Sequence, residues 1–150
     1  MKPPMRRIGE PWLEGKPYRE RMGAYGIIMG RDGHLLLVDE RGELQLPGGG
    51  IDPGEGPVQA LHREAREETG WRIGGLRRLG AFQRYVYMPD YGFWAHKVQH
   101  IYLARAVLPL GPPTEGWHVP LWMRPEDAAE RLDVEGDRHM VRQAMRLGLV

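Results

Sequence analysis

The chain has 150 residues, the size of one compact domain, and its 41% hydrophobic and 27% charged residues exclude a disordered chain and a core that needs staples. Its 21 basic and 20 acidic residues leave a net charge of +1, which excludes nucleic-acid binding through bulk charge. There is no cysteine, so disulfides, thiolate metal centres and thiol catalysis are excluded as well.

Residues 1–22 hold four prolines and no sustained hydrophobic period. They are expected to form an arm laid over the surface or over a partner subunit, with residues 23–150 as the folded domain. The start, Met1 to Arg7, is basic, but no apolar stretch follows it. No signal peptide is therefore expected, no apolar run is long enough for a bilayer span, and a cytoplasmic location is expected.

Ala24–Met29 and His34–Val38 are short apolar runs separated by Gly30-Arg31-Asp32-Gly33, which predicts a hairpin. Leu44–Leu46 predicts a short strand ending at Pro47. Five glycines and three prolines fall between Pro47 and Pro57, so an irregular loop is predicted there. Pro57 suits the first position of a helix running to Thr69, with Gly70 as its stop. Leu76–Met88 and Val98–Val107 are rich in aromatic and β-branched residues and predict strands, joined by a loop over Pro89–Lys97. A further loop over Pro109–Glu115 leads to a strand near Val119–Trp122. Helices are predicted at Pro125–Arg131 and Asp137–Leu147, the second with Val141, Ala144 and Met145 on one face. This order suggests a mixed sheet covered by helices on both faces.

The chemistry concentrates between Gly49 and Trp71. At 100° per residue, Val58, Leu61 and Ala65 form one stripe of the first helix, expected to face the core. Glu64, Glu67 and Glu68 form the adjoining stripe. Like charges at i,i+3 and i,i+4 repel, and acids near a helix C-terminus are disfavoured. A sequence that accepts both costs suits a cation there, and carboxylates without cysteine suit a hard one such as Mg²⁺ or Mn²⁺. Gly48, Gly49 and Gly50 let backbone approach a metal or phosphate closely. Glu55 lies just before the helix, and Arg63 stands i,i+4 to Glu67, able to orient an acid.

The spacing Gly49-x5-Glu55-x7-Arg63-Glu64-Ala65-x-Glu67-Glu68-x-Gly70-Trp71 resembles the Nudix box of the MutT-like pyrophosphohydrolases. All seven fixed positions match, while Ala65 is small and Trp71 aromatic where the family has aliphatic residues. The resemblance implies an α/β fold: an α/β/α sandwich with a mixed β-sheet, the box forming a loop–helix–loop. It implies metal binding by Glu64, Glu67 and Glu68 with the Gly48 carbonyl, and supporting roles for Gly49, Glu55 and Arg63. Glu115 is the later acid best placed as a further ligand or general base. Arg84 and Lys97 are candidate phosphate contacts, and Tyr87 and Trp94 candidate pocket residues; His118 is a further candidate substrate contact. The implied reaction is Mg²⁺-dependent hydrolysis of a nucleoside diphosphate linked to a group X, with Mn²⁺ as a substitute. Tyr87, sixteen residues past Trp71, fits a dinucleoside polyphosphate branch, and Leu46–Glu55 is similar to RNA 5′-pyrophosphohydrolases. A silent nucleotide-binding module is the alternative. The near-neutral charge leaves an RNA 5′ end as the one nucleic-acid partner in view, no membrane partner is expected, and a homodimer, common in the family, is.

Overall fold

The computed structural model describes residues 5–150; residues 1–4 of the expected arm lie outside the described residues. Seven strands and three helices follow in the order β1 (Arg19–Met29), β2 (Leu35–Glu40), β3 (Glu43–Gln45), β4 (Gly48–Gly50), α1 (Pro57–Thr69), β5 (Trp71–Met88), β6 (Phe93–Pro109), β7 (His118–Met123), α2 (Pro125–Arg131) and α3 (Glu135–Arg146). The sheet runs β3-β2-β1-β6-β5, with β4 also paired to β1 and β7 to β2. It is mixed: β1 and β6 are parallel from Arg19↔Ala95 to Met29↔Arg105, and the other pairs are antiparallel.

Period-two alternation explains why both faces carry helices. On β1, Ala24 and Ile28 turn to one face, where they meet Leu36, Leu61 and Ala65 with Tyr102 and Ala104. Tyr25 and Ile27 turn to the other, joining Leu35, Leu37, Phe82 and Ile101 beneath Ala128, Ala129, Val141 and Ala144. The first face is covered by α1 and the second by α2 and α3, so the fold is an α/β/α sandwich. Each central strand is buried on both sides, as a continuous apolar run requires.

Local chemistry sets the ends of α1. Pro57 occupies the first helical position, and Gln59 reaches back to accept the Gly56 N–H at 2.8 Å. Gly70 closes the helix at φ 75°, donating its N–H to the Arg66 carbonyl, a left-handed cap that favours glycine. Val58 departs from the expected core stripe: it is 41% exposed, while Ala60, Leu61 and Ala65 are the apolar residues that α1 buries.

Three other expectations are corrected. The glycine run is not wholly irregular, since Gly48–Gly50 pair with Tyr25–Gly23 as β4. The loop expected over Pro89–Lys97 contracts, because β6 begins at Phe93 and pairs with β5 from Met88↔Phe93 onward. The sheet starts inside the expected arm, as Arg19–Met22 pair with Ala95–Val98. Residues Arg6 to Glu10 of the arm follow the outer edge of β5: Gln83 donates to the Arg6 carbonyl, Ile8 to that of Gln83, and Tyr85 to that of Glu10. That pairing shields an edge strand that would otherwise offer a template for aggregation. No helix among the described residues is long and apolar enough to cross a membrane.

Candidate active site

The site forms where α1 crosses β4. Gly49 gives up its side chain to the helix: a Cβ there would stand 2.7 Å from the Glu64 carboxyl carbon. Gly48 adopts φ 147°, and a Cβ on it would overlap the Ala24 carbonyl. Glycine at both positions lets a strand of bare backbone lie against the carboxylates of α1.

Arg63 organises one part of the set. Its Nε and Nη2 donate to the two Glu55 oxygens at 2.8 and 2.9 Å, and Nη2 also donates to the Gly50 carbonyl at 3.0 Å. Its Nη1 donates to Glu64 at 2.9 Å and to Glu67 at 3.4 Å. The Arg63 guanidinium and the Asp52 N–H hold the Glu55 carboxyl down at about 2. This fork fixes the loop to the helix with Glu55 and points Glu64 and Glu67 along one side.

Glu68 turns elsewhere. Its Oε1 accepts the Gly48 N–H at 2.7 Å, and its Oε2 lies 3.5 Å from His118 Nε2. Burial pushes its carboxyl well above the usual range, against the Gly48 hydrogen bond, and the charges of Glu64, Glu40 and Glu67 add to the rise. Burial raises Glu64 too, against the pull of Arg63. Buried acids crowded in this way gain most from a divalent cation, and oxygen donors suit Mg²⁺ or Mn²⁺. Glu115 sits in the loop after β6, which is tied to α1 by the Thr114 N–H on the Glu67 carbonyl. No hydrogen bond or ion pair among the described residues joins its side chain to the glutamates of α1.

The four expected substrate contacts divide. Arg84 and Lys97 are cross-strand partners, and Lys97 is also the register partner of Arg21. These three cations therefore form a row across β5, β6 and β1 on the α3 face. Arg84 donates to Gln99 at 2.9 Å and pairs with Glu10 at 3.2 Å. Burial and the flanking arginines bring Lys97 down to about 8. Arg21 packs against β4 at Gly50, where a Cβ would stand 2.9 Å from its Nη2, on the face of that strand opposite Glu64. Beside the row Asp137, at the start of α3, is 2% exposed, and burial pushes its carboxyl up to about 6. Tyr87 and Trp94 pair with each other one strand face away, and Tyr18 of the arm packs edge-on against Trp94. The structure does not bring them to Arg84 and Lys97.

Sequence reasoning misses Arg21, Gln99, Asp137 and Glu40. Asp137 carries one signal, an acid in the first turn of an amphipathic helix. The others depend on strand register alone.

Known proteins resemble the chain in sequence and in fold. A CMP-5′-(N-acetyl-N-hydroxy-3-aminopropyl)phosphonate hydrolase of Streptomyces rubellomurinus is 39% identical over 90 residues, 59% of this chain and 41% of that protein. An RNA pyrophosphohydrolase of Photorhabdus laumondii is 44% identical over 76 residues, 49% of this chain and 42% of that one. The matches thus span about two fifths of these relatives' own lengths. Among solved structures, a MutT protein from Methanosarcina mazei Go1 superimposes with a TM-score of 0.69 over 88% of this chain and 97% of its own, at 21% identity. That likeness establishes the fold. The NUDIX domain model matches residues 19–144, from the first residue of β1 into α3, and the chain therefore belongs to the Nudix family.

Proposed function

We propose that the chain hydrolyses a pyrophosphate bond in a nucleoside diphosphate joined to a further group, using Mg²⁺ with Mn²⁺ as a substitute. The observation that carries this reading is the packing of Glu64 and Glu68 against the side-chain-free strand Gly48–Gly50. Glu64, Glu67, Glu68 and the Gly48 carbonyl would hold the cation. When bound, it would neutralise diphosphate oxygens and make water a stronger nucleophile at neutral pH. A glutamate of this set takes the proton of the attacking water, and Glu115, in the loop tethered to α1, is the further acid proposed to assist. Gly49, Glu55 and Arg63 keep loop and helix in register, so that attack is in line.

The row of Arg21, Lys97 and Arg84 supplies positive charge for the phosphate that leaves or stays with the nucleoside. Glu10 is the one acid in an ion pair with any of the three among the described residues, so the row has charge to spare for an anion. Products would be a nucleoside monophosphate and the phosphorylated remainder. A relative named for RNA pyrophosphohydrolysis supports including an RNA 5′ end among the substrates.

The test is product release from a panel of nucleoside triphosphates, dinucleoside polyphosphates, nucleotide sugars and 5′-triphosphorylated RNA, with Mg²⁺ or Mn²⁺. Turnover of one class, reduced at least about a hundredfold by Glu68→Gln, is the expected result. Folded protein that binds these nucleotides and hydrolyses none would overturn it in favour of a binding module.

A further inference from the structure

Among the acids of α1, Glu68 is set apart by its neighbours. Its Oε1 is committed to the Gly48 N–H, and its free Oε2 faces His118 Nε2 at 3.5 Å. The same Nε2 lies 3.6 Å from Glu40 Oε1. Glu40 ends β2 and His118 begins β7, and the two are register partners. The ladder sets them side by side, and α1 brings the third group. One ligand atom from each of the three lies within 4.8 Å of the other two.

Donors about 2.0–2.2 Å from a common cation stand roughly 2.8–3.1 Å apart at octahedral angles and roughly 3.3–3.6 Å apart at tetrahedral ones. Both nitrogen–oxygen distances fall in the tetrahedral range and lie within about 0.5 Å of the octahedral one. They are too long for good hydrogen bonds, so His118 Nε2 is satisfied by neither acid. Nδ1 of the same ring is buried without a partner among the described residues. The ring is thus held between two carboxylates, its side chain only 14% exposed, with Nδ1 lacking a partner among the described residues and Nε2 at ion-pair rather than hydrogen-bond distance from both acids. An imidazole kept there for packing alone would cost desolvation without return.

We propose that Glu40, Glu68 and His118 form a cation site of their own, distinct from the Glu64–Glu67 side of the helix, and selective for a borderline cation of the Mn²⁺ type over Mg²⁺. The selectivity follows from the imidazole, since nitrogen donors favour transition-metal ions while Mg²⁺ keeps to oxygen. The site shares Glu68 with the hydrolytic centre and rests on that reading for its part in the reaction. It would place a second cation next to the first, with Glu68 between them.

The experiment uses the full chain, stripped with a chelator and titrated with Mn²⁺ or Mg²⁺, followed by electron spin resonance of the Mn²⁺. One site should take Mn²⁺ at least about tenfold more tightly than Mg²⁺, and bound Mn²⁺ should show ¹⁴N coupling from the imidazole. His118→Ala should abolish that coupling, and Glu40→Gln should weaken the same site by about 10- to 100-fold. Wild-type protein filled with Mn²⁺ but lacking ¹⁴N coupling would overturn the proposal, and needs no variant to fold. So would unchanged Mn²⁺ binding in both variants. Hydrolysis that is lost in Glu64→Gln while ¹⁴N coupling is absent would sink this site and leave the proposed activity standing. Coupling without turnover of any nucleotide would do the reverse.

Discussion

Asp137 permits a prediction with a sign and a size. Its side chain is 2% exposed, Oδ2 accepts the Leu46 N–H at 3.4 Å, and Oδ1 has no partner among the described residues. Arg84 and Lys97 favour its ionised form and Glu43 opposes it, but burial outweighs them and lifts the carboxyl from 3.8 to about 6. The native state therefore holds this proton where the unfolded chain has released it. Stability from this group is full below about pH 4 and is lost as the pH rises through 6. A rise of that size is worth about 3 kcal/mol. Asp137→Asn removes the titration and keeps the shape. Urea unfolding of both proteins at half-unit steps from pH 4 to 7 should show the variant gaining about 2–3 kcal/mol on wild type across that range. Glu64 and Glu68 are raised as well, but they titrate in both proteins and cancel in the difference. A difference flat to within about 0.5 kcal/mol would refute the assignment of a buried, charge-averse Asp137.

Other perturbations test the packing and the site separately. Gly136→Ala would put a methyl into the Phe82 ring, which is fully buried; overpacking at such a position should cost about 2–3 kcal/mol or more and lower Tm by several degrees. Gly49→Ala would push the Glu64 carboxylate off its seat, so kcat should fall at least about tenfold with a change in Tm of only a few degrees; unchanged kcat would mean that Glu64 need not lie against β4. Burial and neighbouring arginines bring Lys97 down to about 8, so the unfolded chain binds its proton more readily and stability should rise as pH climbs from 8 towards 10. Lys97→Met should therefore stabilise the protein by about 1–3 kcal/mol at pH 7 while raising KM for a phosphorylated substrate. A stabilised variant with unaltered KM would remove Lys97 from substrate binding.

The sequence reports α1 almost to the residue because its signals are local. Proline at the first position, glycine at the stop and a 3.6-residue apolar period lie within one short window. The same holds for α2, which begins at Pro125 and ends at Arg131 as expected. The β5–β6 hairpin reads too short in the sequence because its strands, 18 and 17 residues long, outrun any local signal. Three register shifts interrupt β5 between Arg72 and Gly80, which breaks the alternation a strand is recognised by. The glycine strand escapes for a different reason: Gly48–Gly50 has no β propensity of its own. Tyr25–Gly23 impose the pairing, and the absence of side chains lets Glu64 and Arg21 close in from either side.

The site divides along the same line. The residues of the Gly49–Trp71 spacing are visible because one helix and its loop carry them all. The pairing of Glu40 with His118 is not, since the ladder between β2 and β7 joins them and neither segment has a spacing that mentions the other. The candidate substrate contacts show how much parity alone can decide. In a regular strand, positions 84 and 87 differ by an odd number and must face opposite ways, as must 94 and 97. Arg84 with Lys97 and Tyr87 with Trp94 are thus separable from the sequence alone, provided Phe93–Lys97 is strand. A loop over that segment removes the constraint and lets four residues from two faces be assigned to one pocket. Where the strand ends therefore determines which residues share a face: the one that carries Lys97 carries Arg84 and Arg21, and the one that carries Trp94 carries Tyr87, with Tyr18 of the arm edge-on against the indole.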